Sequence, residues 1–115
     1  HKKIKNNKKV LYQLDSFDFE KAQFKGYAAP IRLQVVFDEK GKIMQVGIKD
    51  HKETKSFIDR VEKVWLPQLS GLDPDKKILG KEGIDALTEC TKSTEAIKKS
   101  VDTLRNLFLD KFNKK

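Results

Sequence analysis

A chain of 115 residues and 13.3 kDa has room for one domain with one core, which excludes a multidomain enzyme. Its apolar share, 37%, is enough to fold, while the single cysteine, Cys90, excludes an internal disulfide and a cysteine-based zinc site, and two histidines, His1 and His51, exclude most His-rich metal sites. The net charge of +8 invites a nucleic-acid partner, but five lysines fall in residues 1–9 and two in residues 113–115, so the body between them is near neutral and no nucleic-acid surface is expected.

Residues 1–9 read as a basic tail or spacer, residues 10–112 as a single domain, and residues 113–115 as a second basic tail. No apolar run approaches the ~20 residues of a membrane-spanning helix. The sequence opens on His1 rather than Met, so an upstream anchor is expected to have been removed, with the lysine-rich spacer solvated beside a membrane.

Along the chain, Phe17, Phe19 and Phe24 stand among polar neighbours and suggest a half-buried strand over residues 17–27, interrupted near Lys21 and Ala22. Gly26 and Tyr27 before Pro30 suggest a tight turn, with Gly26 supplying a positive φ. Ile31, Leu33, Val35 and Phe37 alternate with Arg32 and Gln34. After Asp38-Glu39-Lys40-Gly41-Lys42 a second alternating run covers residues 43–49, which together predict a β-hairpin.

Thr54 is placed to cap a helix in which Phe57, Ile58, Val61, Val64 and Trp65 form one apolar stripe, stopped by Pro67. Residues 68–83 carry loop signals, with Ile78 and Leu79 as a buried pin, and residues 84–87 suggest a short strand. A long helix is expected from Ser93 or Thr94 to about Phe112. Ile97, Val101, Leu104, Phe108 and Phe112 occupy one face, and Lys98, Lys99, Asp102 and Arg105 the other. The fold class is α+β: a small antiparallel sheet built on a β-hairpin, with a short middle helix and a long C-terminal helix packed on it.

The most informative stretch is residues 85–94, where Thr88, Thr91, Ser93, Thr94 and Lys92 gather before the long helix. Two readings stand. Ser and Thr collect at helix starts as N-caps, and the same place, with unpaired N–H groups and the positive end of the helix dipole, attracts a phosphate.

Three blocks in order resemble the FMN-binding domain family, found in the G subunit of Rnf electron-transport complexes and the C subunit of the Na+-translocating NADH:quinone reductase. They are Gly26-Tyr27-Ala28-Ala29-Pro30-Ile31 with the hairpin after it, His51-Lys52-Glu53-Thr54, and Asp85-x-x-Thr88-x-x-Thr91, the last similar to the flavinylation pattern Asp-x-x-(Ser/Thr)-Gly-Ala-Thr. The resemblance covers about residues 24–105.

The resemblance implies an extracytoplasmic electron-transfer domain holding FMN, with the phosphate at Asp85–Thr91 and esterified to Thr91 by a flavin transferase that uses FAD. A redox protein or membrane electron-transport complex would be the partner. Lys92 would add charge, Thr88 and Ser93 would donate to the phosphate, and Asp85 would order the loop or serve recognition by the transferase. His51, Glu53, Thr54, Gly26, Tyr27 and Cys90 complete the candidate cofactor-binding set, and none of these residues is assigned catalysis.

Tyr27 also reads as sheet packing, Trp65 as core, and His51 and Glu53 as residues of a helix start. Two stretches depart from the family pattern: Glu89-Cys90 replaces Gly-Ala, and Lys55-Ser56-Phe57-Ile58 replaces Pro-Gly-Leu-Gly. Glu89 brings a negative charge beside the phosphate position and lacks the backbone freedom of Gly. The alternative function is therefore a cofactor-free, membrane-associated interaction or sensing module.

Overall fold

The computed structural model describes residues 2–6 and 9–112, so the tail over residues 113–115 and the side chain of Phe112 lie outside the described residues. Four antiparallel strands lie in sequence order: β1 (Lys2–Asn6), β2 (Lys9–Asp15), β3 (Arg32–Phe37) and β4 (Ile43–Asp50). A short helix α1 (Lys55–Arg60) and the long helix α2 (Thr91–Phe112) complete the α+β fold. Lys2–Asn6, within the stretch read as a spacer, forms the outer strand against β2.

The alternation in β3 sets one face of the sheet: Leu33, Val35 and Phe37 are buried while Arg32, Gln34 and Val36 are partly covered. In the hairpin, Leu33 stands opposite Ile48, Val35 opposite Val46 and Phe37 opposite Ile43. A register shift between Val36 and Phe37 explains why the buried positions in β4, Ile43 and Val46, are three residues apart rather than two. Asp38 Oδ1 accepts from the N–H groups of Lys40 and Lys42, both at 2.9 Å, and Gly41 takes φ +94° to close the turn.

The sheet face is covered by α2, whose Ile97, Val101, Leu104 and Phe108 are all fully buried. The Phe37 and Phe108 rings stack at 4.8 Å, and Tyr12 leans on Phe108 at 5.4 Å. Phe108→Leu keeps the site apolar but loses both ring contacts. It is expected to cost about 1–2 kcal/mol in a urea unfolding curve, and a loss below a few tenths would show that the stack adds nothing.

Residues 17–27 do not form a strand. Two 3-10 turns, Ser16–Asp18 and Glu20–Ala22, replace it, because Asp15 Oδ1 accepts from Phe17 N–H at 2.9 Å and bends the chain out of β2. Ser16 Oγ accepts from Leu33 N–H, and Ser100 Oγ of α2 donates to the Ala22 carbonyl at 2.7 Å, so the turns are pinned on both sides. Gly26 is not at positive φ. A Cβ there would lie 2.8 Å from Ile31 Cδ1 and 2.9 Å from Glu53 Oε1, so close approach is what requires glycine.

The middle helix is interrupted: after α1 the backbone widens into a π-helical turn over Val61–Trp65 and then a 3-10 turn over Leu66–Leu69 containing Pro67. Its apolar stripe splits in two. Ile58, Val61 and Trp65 are buried, while Phe57 and Val64 are 47% and 63% exposed. Ile78 is the buried pin, Leu79 being 37% exposed, and residues 84–87 form no strand.

Helix α2 begins at Thr91, ahead of Ser93, and Lys98 and Arg105 are buried rather than on a polar face. Lys98 reaches Glu95 at 3.2 Å. Arg105 donates to the Asp73 carbonyl and lies 3.6 Å from Asp102, clipping the long loop to the helix.

Candidate functional site: a pocket at the start of α2

The loop before α2 is set by hydrogen bonds from buried side chains. Trp65 Nε1 donates to the Asp85 carbonyl at 2.6 Å, which fits its reading as a core residue with a polar handle. Thr94 Oγ1 accepts from Leu87 N–H at 3.1 Å and donates to the Cys90 carbonyl at 2.9 Å. The Asp85 and Thr88 side chains are exposed on this loop and do not line the pocket described below.

Glu89 stands at φ +72°, where the flavinylation pattern has glycine. The chain therefore makes the glycine turn with a glutamate, at a backbone cost of about 1–2 kcal/mol. Its carboxylate lies 3.2 Å from Arg60 Nη1, which offsets the negative charge beside the helix start. Glu89→Gly relieves the strain and gives up an exposed ion pair and some chain entropy. It is expected to stabilise the protein by about 0.5–1 kcal/mol, read as a higher urea midpoint at unchanged slope. A lower midpoint would mean that the Arg60 pair outweighs the strain.

The helix start carries no side-chain cap. Cys90 precedes Thr91, is buried, and directs its Sγ toward the Phe57 carbonyl at 3.8 Å. Ser93 Oγ, expected to serve a phosphate, instead donates to Glu53 Oε1 and is 5% exposed. The first backbone bond into the helix is Thr94 N–H to the Cys90 carbonyl, so the N–H groups of Thr91, Lys92 and Ser93 lack helical partners. That geometry favours the anion-site reading over capping.

Glu53 organises the opposite wall. Its two oxygens accept from Tyr27 N–H at 2.8 Å and Ala28 N–H at 3.1 Å as well as from Ser93. Burial raises its pKa, but these hydrogen bonds outweigh burial and hold the carboxyl below the ordinary glutamate value. His51 Nδ1 accepts from Glu53 N–H at 3.0 Å, so His51 shapes the turn that presents Glu53 without lining the pocket. Gly26 fits directly behind the Glu53 carboxyl. Thr54 sits at the N-cap of α1, makes no side-chain cap bond, and faces the pocket.

Between these walls lies a pocket of about 440 Å³, within the usual range of roughly 300–1,000 Å³ for small-molecule sites. It brings together Tyr27, Glu53, Thr54, Cys90, Thr91, Lys92 and Ser93 from the candidate set, with Phe57 and Glu89 added. Tyr27 is 73% exposed, so it is no core residue, and Lys92 Nζ stands 5.6 Å from its ring centre. Phe57 escapes the sequence reading because it shares a helix with the core stripe. The available signal is the i, i+7 pair Phe57 and Val64, which runs beside the buried Ile58, Val61 and Trp65.

Unpaired N–H groups, an ammonium and a hydroxyl suit a phosphate, while the exposed rings of Tyr27 and Phe57 suit an aromatic ring system. Comparison with known proteins points the same way. Residues 26–106 match the family model described as FMN-binding domain, from Gly26 through most of α2, and no curated protein matches the chain. A match over that much of the chain settles its kinship: it belongs to the FMN-binding domain family, whose cofactor is FMN.

Proposed function

We propose that the domain carries FMN esterified through its phosphate to Thr91 and works as an electron-transfer module outside the cytoplasm, beside a membrane. The observation that carries this reading is the exposed Thr91 hydroxyl at an uncapped helix start, in a pocket shared with Lys92 and Tyr27. Thr91 and Lys92, with the N–H groups of the first turn, hold the phosphate. Tyr27 and Phe57 flank the ring, and Glu53 fixes the Tyr27 loop against Ser93. Bound FMN supplies the redox chemistry, and the protein supplies attachment and access.

Attachment follows simple bookkeeping. Thr91 Oγ1 bonds to the flavin-side phosphorus of FAD, the pyrophosphate P–O bond breaks, AMP leaves with the electron pair, and the hydroxyl proton passes to a base of the flavin transferase. The helix dipole and Lys92 stabilise the phosphoester's remaining negative charge. Access for a redox partner is supported by the half-exposed Phe57 and mostly exposed Tyr27 at the pocket.

The test is the intact mass of the chain coexpressed with a flavin transferase, taken under denaturing conditions. A gain equal to FMN minus water is expected. No gain, together with no binding of free FMN by the native protein, would leave the cofactor-free module as the function. Fractionation of cells making the full-length protein tests the location, and a purely cytoplasmic signal would overturn it.

A further inference from the structure

The side chains that line the pocket at the start of α2 do not sum to a positive charge. Two are carboxylates, Glu53 and Glu89, and one is an ammonium, Lys92, so the lining alone is net negative where a phosphate is to sit. Glu53 is already engaged: its oxygens take Tyr27 N–H, Ala28 N–H and the Ser93 hydroxyl, three donors that spread its charge. Glu89 has no such set. It stands two residues ahead of Thr91 with its side chain 70% exposed, and among the described residues its one partner is Arg60, whose Nη1 lies at 3.2 Å. Arg60 itself does not line the pocket; it ends α1, one turn beyond Phe57, which does. Residues 89 and 90 touch α1 twice, through this ion pair and through Cys90 Sγ, 3.8 Å from the Phe57 carbonyl, so the loop and the Arg60 end of the helix lie together.

We infer, on the reading that Thr91 and Lys92 receive the flavin phosphate, that Arg60 is a positioning residue for that phosphate: it ties the Glu89 carboxylate to α1 and cancels the charge that otherwise opposes an anion there. Without Arg60, Glu89 brings an unpaired negative charge to the pocket that it lines, and like charges at such range repel. The pair therefore makes a glutamate, at the positive-φ position that the flavinylation pattern gives to glycine, compatible with an anionic cofactor. Affinity for the phosphate is thus set in part by a residue outside the pocket.

The experiment measures equilibrium binding of FMN, and of riboflavin, which has the same ring system and no phosphate, to the full chain made without flavin transferase. Wild type is compared at low salt with Arg60→Gln, Arg60→Lys, Glu89→Gln and the Arg60→Gln/Glu89→Gln double variant. Glutamine at position 89 keeps the strained backbone as it is, which glycine would relax. Arg60→Gln is expected to weaken FMN binding about fivefold and to leave riboflavin unchanged, the loss fading at about 1 M salt. Arg60→Lys should keep most of the affinity, because one N–H contact does not need the guanidinium fork. In the Glu89→Gln background, Arg60→Gln should change nothing. Equal losses for FMN and riboflavin would assign Arg60 a structural role only, and a loss that persists without Glu89 would mean that it does not act through Glu89. Either result overturns the inference, as does unchanged FMN affinity in Arg60→Gln. Where a flavin transferase attaches FMN without measurable binding of the free cofactor, the initial rate of mass gain across the same proteins takes the place of affinity, with the same pattern expected. A wild type that binds riboflavin as tightly as FMN overturns the phosphate reading instead, and one that takes neither ligand and gains no mass overturns the flavin reading as a whole.

Discussion

Thr91→Val, coexpressed with a flavin transferase, is expected to carry no covalent flavin while folding as the wild type does. Valine matches threonine in shape and branching and removes only the oxygen that would carry the phosphate. The Thr91 side chain is exposed and does not cap α2, so the change in stability is expected to stay within about 0.5 kcal/mol. Neighbouring hydroxyls are poor substitutes. Ser93 is buried and donates to Glu53, and Thr94 is buried and holds both Leu87 N–H and the Cys90 carbonyl. Thr88 is the one exposed competitor in this loop, so Thr88→Val is the matched control and should keep the full mass gain. Thr91→Ser should recover attachment in part. Covalent flavin at the wild-type level in Thr91→Val would overturn attachment at Thr91, and loss of flavin in Thr88→Val alone would move the site to Thr88.

The hairpin is legible in the sequence because Ile31, Leu33, Val35 and Phe37 recur at every second position around Arg32 and Gln34, Val36 being the exception, and because Asp38 and Gly41 carry the chemistry of its turn. Strand β2 is not, since Val10, Leu11 and Tyr12 are consecutive apolar residues, all half-buried, and show no period of two. The aromatic residues at 17, 19 and 24 imitate a strand. What defeats that reading is a local competitor, the Asp15 carboxylate, which takes Phe17 N–H and also binds Arg32 and Gln34 across the sheet. Sequence periodicity has no access to a side chain that bonds both its own turn and a strand seventeen residues away.

The pocket is partly legible for the same kind of reason. Its helix start announces itself in Thr88, Thr91 and Lys92, and the order of three short blocks indicates the fold. The partner of each group is what the sequence hides. Ser93 belongs to Glu53, forty residues earlier, and His51 serves Glu53 through the backbone. Glu89 illustrates the limit most clearly: as a glutamate it argues against a positive-φ turn, yet it stands at φ +72° in a loop held by the Trp65 hydrogen bond to the Asp85 carbonyl and by the Thr94 clamp. Tertiary bonds on both sides of the residue are what the sequence does not show.

Glu53→Ala is expected to lower stability by about 2–3 kcal/mol and to weaken flavin binding together with it. One carboxylate ties three segments: Tyr27 and Ala28 N–H from the loop after Gly26, its own turn held by His51, and Ser93 of α2. Removing it leaves the nearly buried Ser93 hydroxyl without its acceptor and frees the Tyr27 loop that forms one wall of the pocket at the start of α2. Glu53→Gln keeps an acceptor oxygen and should fall between the two. The pH profile separates this role from simple packing. In the folded chain Glu53 and Asp15 both sit below their ordinary values despite burial, Glu53 through Ser93, Tyr27 and Ala28, and Asp15 through Arg32, Phe17 and Gln34. Each therefore contributes stability that is fully present above about pH 5 and is lost as pH falls through the depressed folded value, because the unfolded chain takes up protons first. Wild-type stability should decline below about pH 4, and Glu53→Ala should decline less steeply, with the Asp15 contribution retained and that of Glu53 removed. Parallel profiles for the two proteins would show that the Glu53 bonds do not depend on its charge, and the pocket wall would then rest on shape alone.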